Sequence, residues 1–268
     1  LDILDGNVVS RDLLRSFTGK ANHIARLLWP WRPFLDELWA AIHDHRPSRA
    51  PKGCVWTNQV ETAIGWMLCF IKRTRGIMQL RWTLEYFVSP PELITFSFDA
   101  SPWGLGGIVT EQATITGFFR SRLTAVDEER FGHRIGDNKG QQTWELLSAL
   151  VGLRIWSSKW AGRRCRICVR GDNVGALVAV MKLKAPPGNG RFISRELSLE
   201  YTDKTFEPEV VEHIPGVSNT IPDILSRLWE PGGKYKLPHE LSQVQEYKCP
   251  VRSSSYYLSA AGPAKQGE

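Results

Sequence analysis

The sequence predicts an α/β fold with a five-stranded mixed sheet, in which an antiparallel meander is followed by alternating helix and strand. Helices are expected on both faces of the sheet, with a small helical region in front of it. Three observations carry this expectation. ELITFSFDAS alternates apolar and polar residues, and GLGGIVT and ATITGFF follow across tight glycine connections, the pattern of three hairpin-joined strands. Segments of helical period then alternate with two further short strands, CRICVRG and EPEVVEHI, which implies a mixed sheet with helices packed on it. Ahead of residue 90, apolar residues recur at helical spacing instead.

In that first region Leu13, Leu14, Phe17, Ala21, Ile24, Leu27 and Leu28 mark one helix, which Pro30 and Pro33 interrupt. Phe34, Leu35, Leu38, Trp39 and Ile42 continue on a second helix. A basic linker, HRPSRAPKG, precedes a third helix marked by Val60, Ile64, Met67, Leu68 and Ile71. The region holds no carboxylate constellation and is expected to be a packing module. The texture changes near Pro90 and Pro91. On the first strand Ile94, Phe96 and Phe98 share one face, and Thr95, Ser97 and Asp99 take the other. QQTWELLSALVGLRIWSSKW, NVGALVAVMKL, RFISRELSLEY and TIPDILSRLW supply the later helices, the second ended by the turn KAPPGNG. From Pro231 the chain is rich in Gly, Ser, Lys and Tyr with no sustained period, and a poorly ordered extension is expected. The expected organisation is therefore a helical region at 1–89, the α/β domain at 90–230 and a flexible tail at 231–268.

Within 268 residues, 42% hydrophobic and 23% charged, this is the composition of a globular protein. The net charge of +6 leans toward polyanionic partners. The five cysteines are scattered and odd in number, so a reducing, intracellular compartment (cytoplasm or nucleus) is expected. Cys165 and Cys168 form a C-x-x-C on a strand, with no second pair at zinc spacing, and are read as structural. No run of about 18 apolar residues exists, so no membrane span is expected. The chain begins with Leu and without a signal-peptide pattern, and is expected to be a piece of something longer.

Four carboxylates sit at informative places. Asp99 lies at the end of the first strand and Glu145 in the first turns of the following helix. Asp172 stands where the fourth strand ends, in RGDN, and Asp223 opens the last helix, with Asn219 or Thr220 as cap and Pro222 in the first turn. Each alone is explained by a turn or a helix dipole. Strand ends and helix starts gather at one edge of such a sheet, so the four are expected to converge. Converging carboxylates repel one another, a cost that divalent cations offset. Hard oxygen ligands suit Mg²⁺. Two such ions about 3.5–4 Å apart activate water and stabilise the leaving oxygen of a phosphodiester. A sugar-cleaving carboxylate pair suits four acids and a basic chain poorly.

DAS-x-x-G-x-G-G, the W-E-L-L-S-A-L helix, the strand-end G-D-N and H-I-P-G-V-S-N-T-I-P-D-I-L-S-R, in that order, resemble the ribonuclease H domain of retroelement reverse transcriptases. The last segment resembles the signature of gypsy-type elements. Upstream, LLRSFTGKANHIARLLWPWRPFLDELWAAI is similar to the thumb-like helices of those proteins, closest to the DIRS-like branch. The resemblance spans roughly residues 9 to 230 and implies a ribonuclease H-like fold. It also implies Asp99, Glu145, Asp172 and Asp223 as ligands of two Mg²⁺ ions, with Mn²⁺ as a substitute. His213 would be the loop histidine that assists proton transfer or product departure. The implied reaction is hydrolysis of the RNA strand of an RNA–DNA hybrid, and the implied partners are that hybrid and the polymerase portion of a parent reverse transcriptase. Pro222 replaces the small residue usual before the last Asp, and the polymerase palm with its Y-x-D-D motif is missing, so DNA synthesis is not expected. A decayed, non-catalytic nucleic-acid-binding or structural domain, and a DNA or junction nuclease on the same fold, are the alternatives.

Two further features have double readings. Arg163, Arg164, Arg166 and Arg170 would follow a phosphate backbone or form a solvated strand face. Trp103 would stack on a nucleotide or be buried in the meander. His23, His43, His45, His133 and His239 form no ligand spacing.

Overall fold

A computed structural model of the chain describes residues 3–44, 46, 49–74, 92–161, 165–184, 188–204 and 208–261. The expected boundary at residues 89 and 90, and the texture change at Pro90 and Pro91, lie outside the described residues.

The N-terminal helices form where the apolar spacing places them. Strand β1 (Val8–Ser10) leads into α1 (Arg11–Ile24), whose N-terminus is capped by Ser10 accepting from the Asp12 N–H. Pro30 sits in a 3₁₀ turn and Pro33 in the first turn of α2 (Arg32–Ile42), where a residue without an N–H costs nothing. Strand β2 (Cys54–Trp56) pairs antiparallel with β1, and α3 (Glu61–Lys72) closes the unit. The two-stranded sheet was not legible in the sequence, because three-residue strands show no period. Leu14, Phe34, Leu38, Val60 and Phe70 are its buried centre.

The main sheet is the predicted five-stranded mixed one. Strands β3 (Glu92–Ala100), β4 (Gly104–Glu111) and β5 (Thr114–Arg122) form the antiparallel meander. Strands β6 (Cys165–Gly171) and β7 (Val210–His213) add in parallel, giving the spatial order β5-β4-β3-β6-β7. This architecture is consistent with a ribonuclease H-like fold. Helix α4 (Ala125–Phe131) follows the meander, then α5 (Gln141–Ile155) and a single turn, α6 (Ser157–Trp160). The sequence suggested one helix through residue 160, but the chain breaks at Trp156, which is fully buried against Phe96 and Phe119. Helices α7 (Val174–Lys182) and α8 (Asn189–Lys204) complete the layer with α5. Their Leu147, Leu150, Val180 and Leu197 meet Ile94, Phe96 and Phe98 in one core.

Helix α9 (Thr220–Arg227) covers the opposite face. There Leu225 packs with Phe118, Leu241 and Ile108. The approach is close: a Cβ on Gly106 would lie 2.6 Å from the Pro222 carbonyl oxygen. Only glycine admits the helix at that point of β4.

The segment after Pro231 departs from the expected poorly ordered extension. The Phe118 N–H donates to the Gln245 carbonyl at 3.0 Å, and the Tyr247 N–H donates to the Phe118 carbonyl at 2.8 Å, so this segment covers the open edge of β5. Arg252 forks onto Asp127 at 2.7 and 2.8 Å, both residues buried. The Leu258 and Ser259 N–H groups donate to the Glu196 carboxylate, and Tyr257 is fully buried between Phe131 and Phe192. The anchors are single residues at irregular intervals, so no period announced them. Residues 262–268 lie outside the described residues.

Arg252→Ala leaves Asp127 buried without its partner and is expected to cost about 3–5 kcal/mol in chemical denaturation. Arg120→Ala, which breaks the partly exposed pair with Glu246 on the same segment, is expected to cost about 1 kcal/mol or less.

Candidate metal centre

Strands β3 and β6 are parallel neighbours, so their C-terminal ends lie side by side. Asp99 is the second-last residue of β3, opposite Gly106 of β4, and α9 over that glycine buries it to 4% exposure. Asp172 follows the last residue of β6 and is half-exposed. Glu145 stands in the second turn of α5, facing the same corner, and is 3% exposed. One oxygen from each of Asp99, Glu145 and Asp172 lies within 4.8 Å of the other two.

The sequence expectation of a carboxylate cluster at one sheet edge is met by these three. Asp99 Oδ2 accepts a 2.9 Å bond from the Ser226 hydroxyl. Glu145 Oε1 accepts from the Gln141 amide at 2.9 Å, and the same amide donates to the Ala100 carbonyl at 2.6 Å. Glu145 Oε2 is buried with no hydrogen-bond partner among the described residues. Burial, with the Asp172 and Asp223 charges adding to it against the Ser226 bond, pushes the Asp99 carboxyl up to about 7. Burial first, then the Asp99 and Asp172 charges, raises Glu145 well above the usual carboxylate range. An orphaned buried oxygen among repelling carboxylates fits a hard divalent cation, which would accept the oxygen and relieve the repulsion.

Asp223 stands differently. It opens α9 with Pro222 in the first turn, as the spacing predicted, and its N–H donates to the Asn219 carbonyl. Its carboxylate is not within the group of three. Oδ1 accepts from Arg227 Nε at 2.6 Å, one helical turn on. Asp223 is nonetheless near enough for its charge to act on Asp99. Asn219 does not cap α9 through its side chain, as had been expected of it or of Thr220. Its amide donates instead to the Phe98 carbonyl at 2.8 Å and ties the helix start to the end of β3. His213 is the last residue of β7, paired with Gly171 and exposed. Its Nε2 lies 3.1 Å from the Asp172 carbonyl oxygen, beside the carboxylate cluster.

The positioning residues Gln141, Ser148, Ser226 and Arg227 were not singled out from the sequence, and Asn219 was singled out only as a helix cap. A signal existed for two of them: Gln141 precedes Glu145, and Arg227 follows Asp223, by the four residues that place side chains together on a helix. The arginines of the fourth strand are engaged elsewhere. Arg166 pairs with Glu209, just ahead of β7, at 3.0 Å and Arg170 with Glu212 of β7 at 2.7 Å, so the exposed arginines of β6 are neutralised by the neighbouring segment. Arg163 and Arg164 lie outside the described residues. Trp103 is half-buried, and all five cysteines are free thiols. His133 packs edge-on against Trp144. Among the described residues, no helix is long and apolar enough to cross a membrane.

No family model and no curated protein matches the chain. Among solved structures it is similar to the foamy viral protease-reverse transcriptase dRH in complex with ds DNA, at 12% identity and a TM-score of 0.23. That similarity covers 92% of this chain, which spans 38% of the viral one.

The raised carboxyl of Asp99 sets a pH dependence. Unfolded, it ionises near 3.8; folded, near 7, so between these values the folded state holds the extra proton. Stability of the cation-free protein therefore falls as pH rises across that interval and stays low above it. Asp99→Asn is expected to raise stability at pH 8 in chelator, by up to roughly 4 kcal/mol, and to change it little at pH 4, as read from denaturant midpoints.

Proposed function

We propose that the chain is a ribonuclease H-type endonuclease that hydrolyses the RNA strand of RNA–DNA hybrids with divalent cations. The observation that carries the proposal is the cluster of Asp99, Glu145 and Asp172, with the buried Glu145 Oε2 left without a partner. In this reading those three residues hold Mg²⁺, with Mn²⁺ as a substitute, and Asp223 completes the set for two ions. The order and spacing of the four acids, and the His213-to-Asp223 segment, support a reverse-transcriptase origin and a polymerase portion as partner.

When bound, the cations supply an activated water and charge stabilisation at the scissile phosphate. The residues of the chain do the rest. Gln141 and Ser226 fix one oxygen each of Glu145 and Asp99, which sets the direction of the remaining oxygens. Buried Asp99 and Glu145 exclude water from one side of the cluster, and half-exposed Asp172 leaves the other side open to a substrate. His213, with Nε2 donating to the Asp172 carbonyl, keeps Nδ1 as the nitrogen that takes or returns a proton near the reacting phosphate. Such a site reads hybrid shape and 2′-hydroxyls rather than bases.

The ion pair between Arg227 and Asp223 favours a second reading, a nucleic-acid-binding domain without catalysis, because it leaves three acids in the cluster. A substrate panel of hybrid, duplex DNA and branched DNA, with Mg²⁺ and with chelator, separates the readings. Hybrid cleavage that requires Mg²⁺ and falls by at least about 100-fold in Asp172→Asn is expected. Cleavage surviving that substitution would overturn the site, and hybrid binding without turnover would establish the second reading. Preferred cutting of duplex or branched DNA would reassign the substrate.

A further inference from the structure

Asp223 is the acid that the cluster lacks, and what holds it is a cation of the chain itself. Arg227 lies one turn on in α9, with Nε 2.6 Å from Asp223 Oδ1. Both side chains are about one-third exposed, so the pair is reachable from solvent. A second acceptor waits beside it. Glu230 Oε2 lies 3.6 Å from Arg227 Nη1 and is buried without a hydrogen-bond partner among the described residues. The Tyr235 ring also stands 5.9 Å from the guanidinium. Arg227 thus has a place to go when it leaves Asp223.

We propose that Arg227 is a positioning residue that competes with divalent cations for Asp223, so that a substrate phosphate which draws Arg227 away completes the carboxylate cluster. This rests on the cation-dependent nuclease reading. Three arguments support it. A guanidinium and a divalent cation both want the same carboxylate oxygens, and Asp223 close to Asp99 cannot serve both with one oxygen. A guanidinium fork matches a phosphate as well as it matches a carboxylate, so an arriving nucleic-acid backbone offers it an exchange partner. The Ser226 hydroxyl, between the two residues in sequence, lies 2.9 Å from both Asp99 Oδ2 and the Asp223 carbonyl oxygen. The start of α9 is therefore already tied to the cluster, and a rotation of the Asp223 side chain, with no movement of the helix, is what remains. Cation binding would then be ordered: first through Asp99, Glu145 and Asp172, and through Asp223 only after Arg227 is displaced.

The test is Mn²⁺ binding to the full chain, with free Mn²⁺ followed by electron paramagnetic resonance, so that no turnover is needed. Arg227→Gln is expected to bind Mn²⁺ at least about five-fold more tightly or to gain a second ion, and Asp223→Asn in that background is expected to abolish the gain. Arg227→Lys keeps the charge without the fork and is expected to gain less in the same direction, which provides the measurement if Arg227→Gln does not fold. An unmodified RNA–DNA hybrid, with Mn²⁺ read by freeze-quench before turnover, should tighten Mn²⁺ binding to the wild-type chain and leave Arg227→Gln unchanged. A purely structural Arg227 would show unchanged or weakened Mn²⁺ binding in both variants, and that result overturns the proposal. The two readings fail separately. If Asp172→Asn leaves wild-type Mn²⁺ binding intact, the metal site itself is wrong. If it abolishes binding while the Arg227 variants change nothing, only the competition is wrong.

Discussion

Two carboxylates, Asp99 and Glu145, are carried almost entirely out of water, and neither is bonded to a lysine or arginine among the described residues. Such a pair repels itself and would drift apart or neutralise in a compliant structure. What prevents drift is the end of β3. Its last three carbonyls are each taken by a side chain of a packing helix: Phe98 by Asn219, Asp99 by Ser148 at 2.8 Å, and Ala100 by Gln141. Beyond Ser97 the strand is no longer paired with β6, so the Phe98 and Ala100 carbonyls, which point to that side, are free to accept from side chains. The three bonds fasten α5 and α9 to the residues that flank Asp99. The Ser101 hydroxyl adds a fourth, donating to the Ser226 carbonyl at 2.7 Å. The acids cannot separate without breaking buried hydrogen bonds, each of which is costly to leave unmade.

The same logic of single anchors joins the rest of the chain to the sheet. Helix α8 faces two interiors at once. Leu197 belongs to the sheet core, whereas Leu199 is buried among the N-terminal helices. Between them the Ser198 hydroxyl donates to the Pro30 carbonyl at 2.6 Å, and Arg195 pairs with Glu37 of α2 at 3.0 Å. On its other flank, buried Glu196 and Glu200 both bond Arg154 of α5, and Glu196 also accepts from the C-terminal segment. One arginine serves two carboxylates, and backbone N–H groups fill the remaining lone pairs of Glu196, the arrangement that lets its buried charge persist. The helical unit, the sheet layer and the C-terminal segment thus meet on α8.

How much of this was legible follows from how each feature is encoded. The meander and the α/β alternation were readable because periods of 2 and 3.6 extend over many residues. Asp99, Glu145 and Asp172 were readable because strand ends and helix starts converge in any sheet of this topology. The C-terminal segment was not, since Tyr247, Arg252 and Tyr257 each find a partner more than 60 residues away in sequence or through rings far along the chain, and long-range pairing leaves no local pattern. The partner of Asp223 escaped for the opposite reason. Arg227 is as local as a partner can be, at i+4, but the same spacing on any exposed helix is a common surface pair of little consequence. Sequence spacing gave the contact without its meaning, which depends on the buried acids nearby.

The charge balance then takes a different shape from the one the composition suggested. Two of the arginines read as following a phosphate backbone are committed, Arg166 to Glu209 and Arg170 to Glu212 of β7, and Arg154, Arg195 and Arg252 are likewise paired, with α8, α2 and α4. The excess of +6 is therefore expressed by exposed lysines, among them Lys20, Lys72, Lys139, Lys182, Lys184, Lys234 and Lys236, and by exposed arginines such as Arg26, Arg49, Arg73, Arg122 and Arg134. Attraction of that kind is long-ranged, salt-sensitive and indifferent to base sequence. In the proposed function it would bring a backbone to the protein without aligning it. In the same reading, alignment would come from the corner where β3, β6 and α9 meet, where the acids and Arg227 lie together.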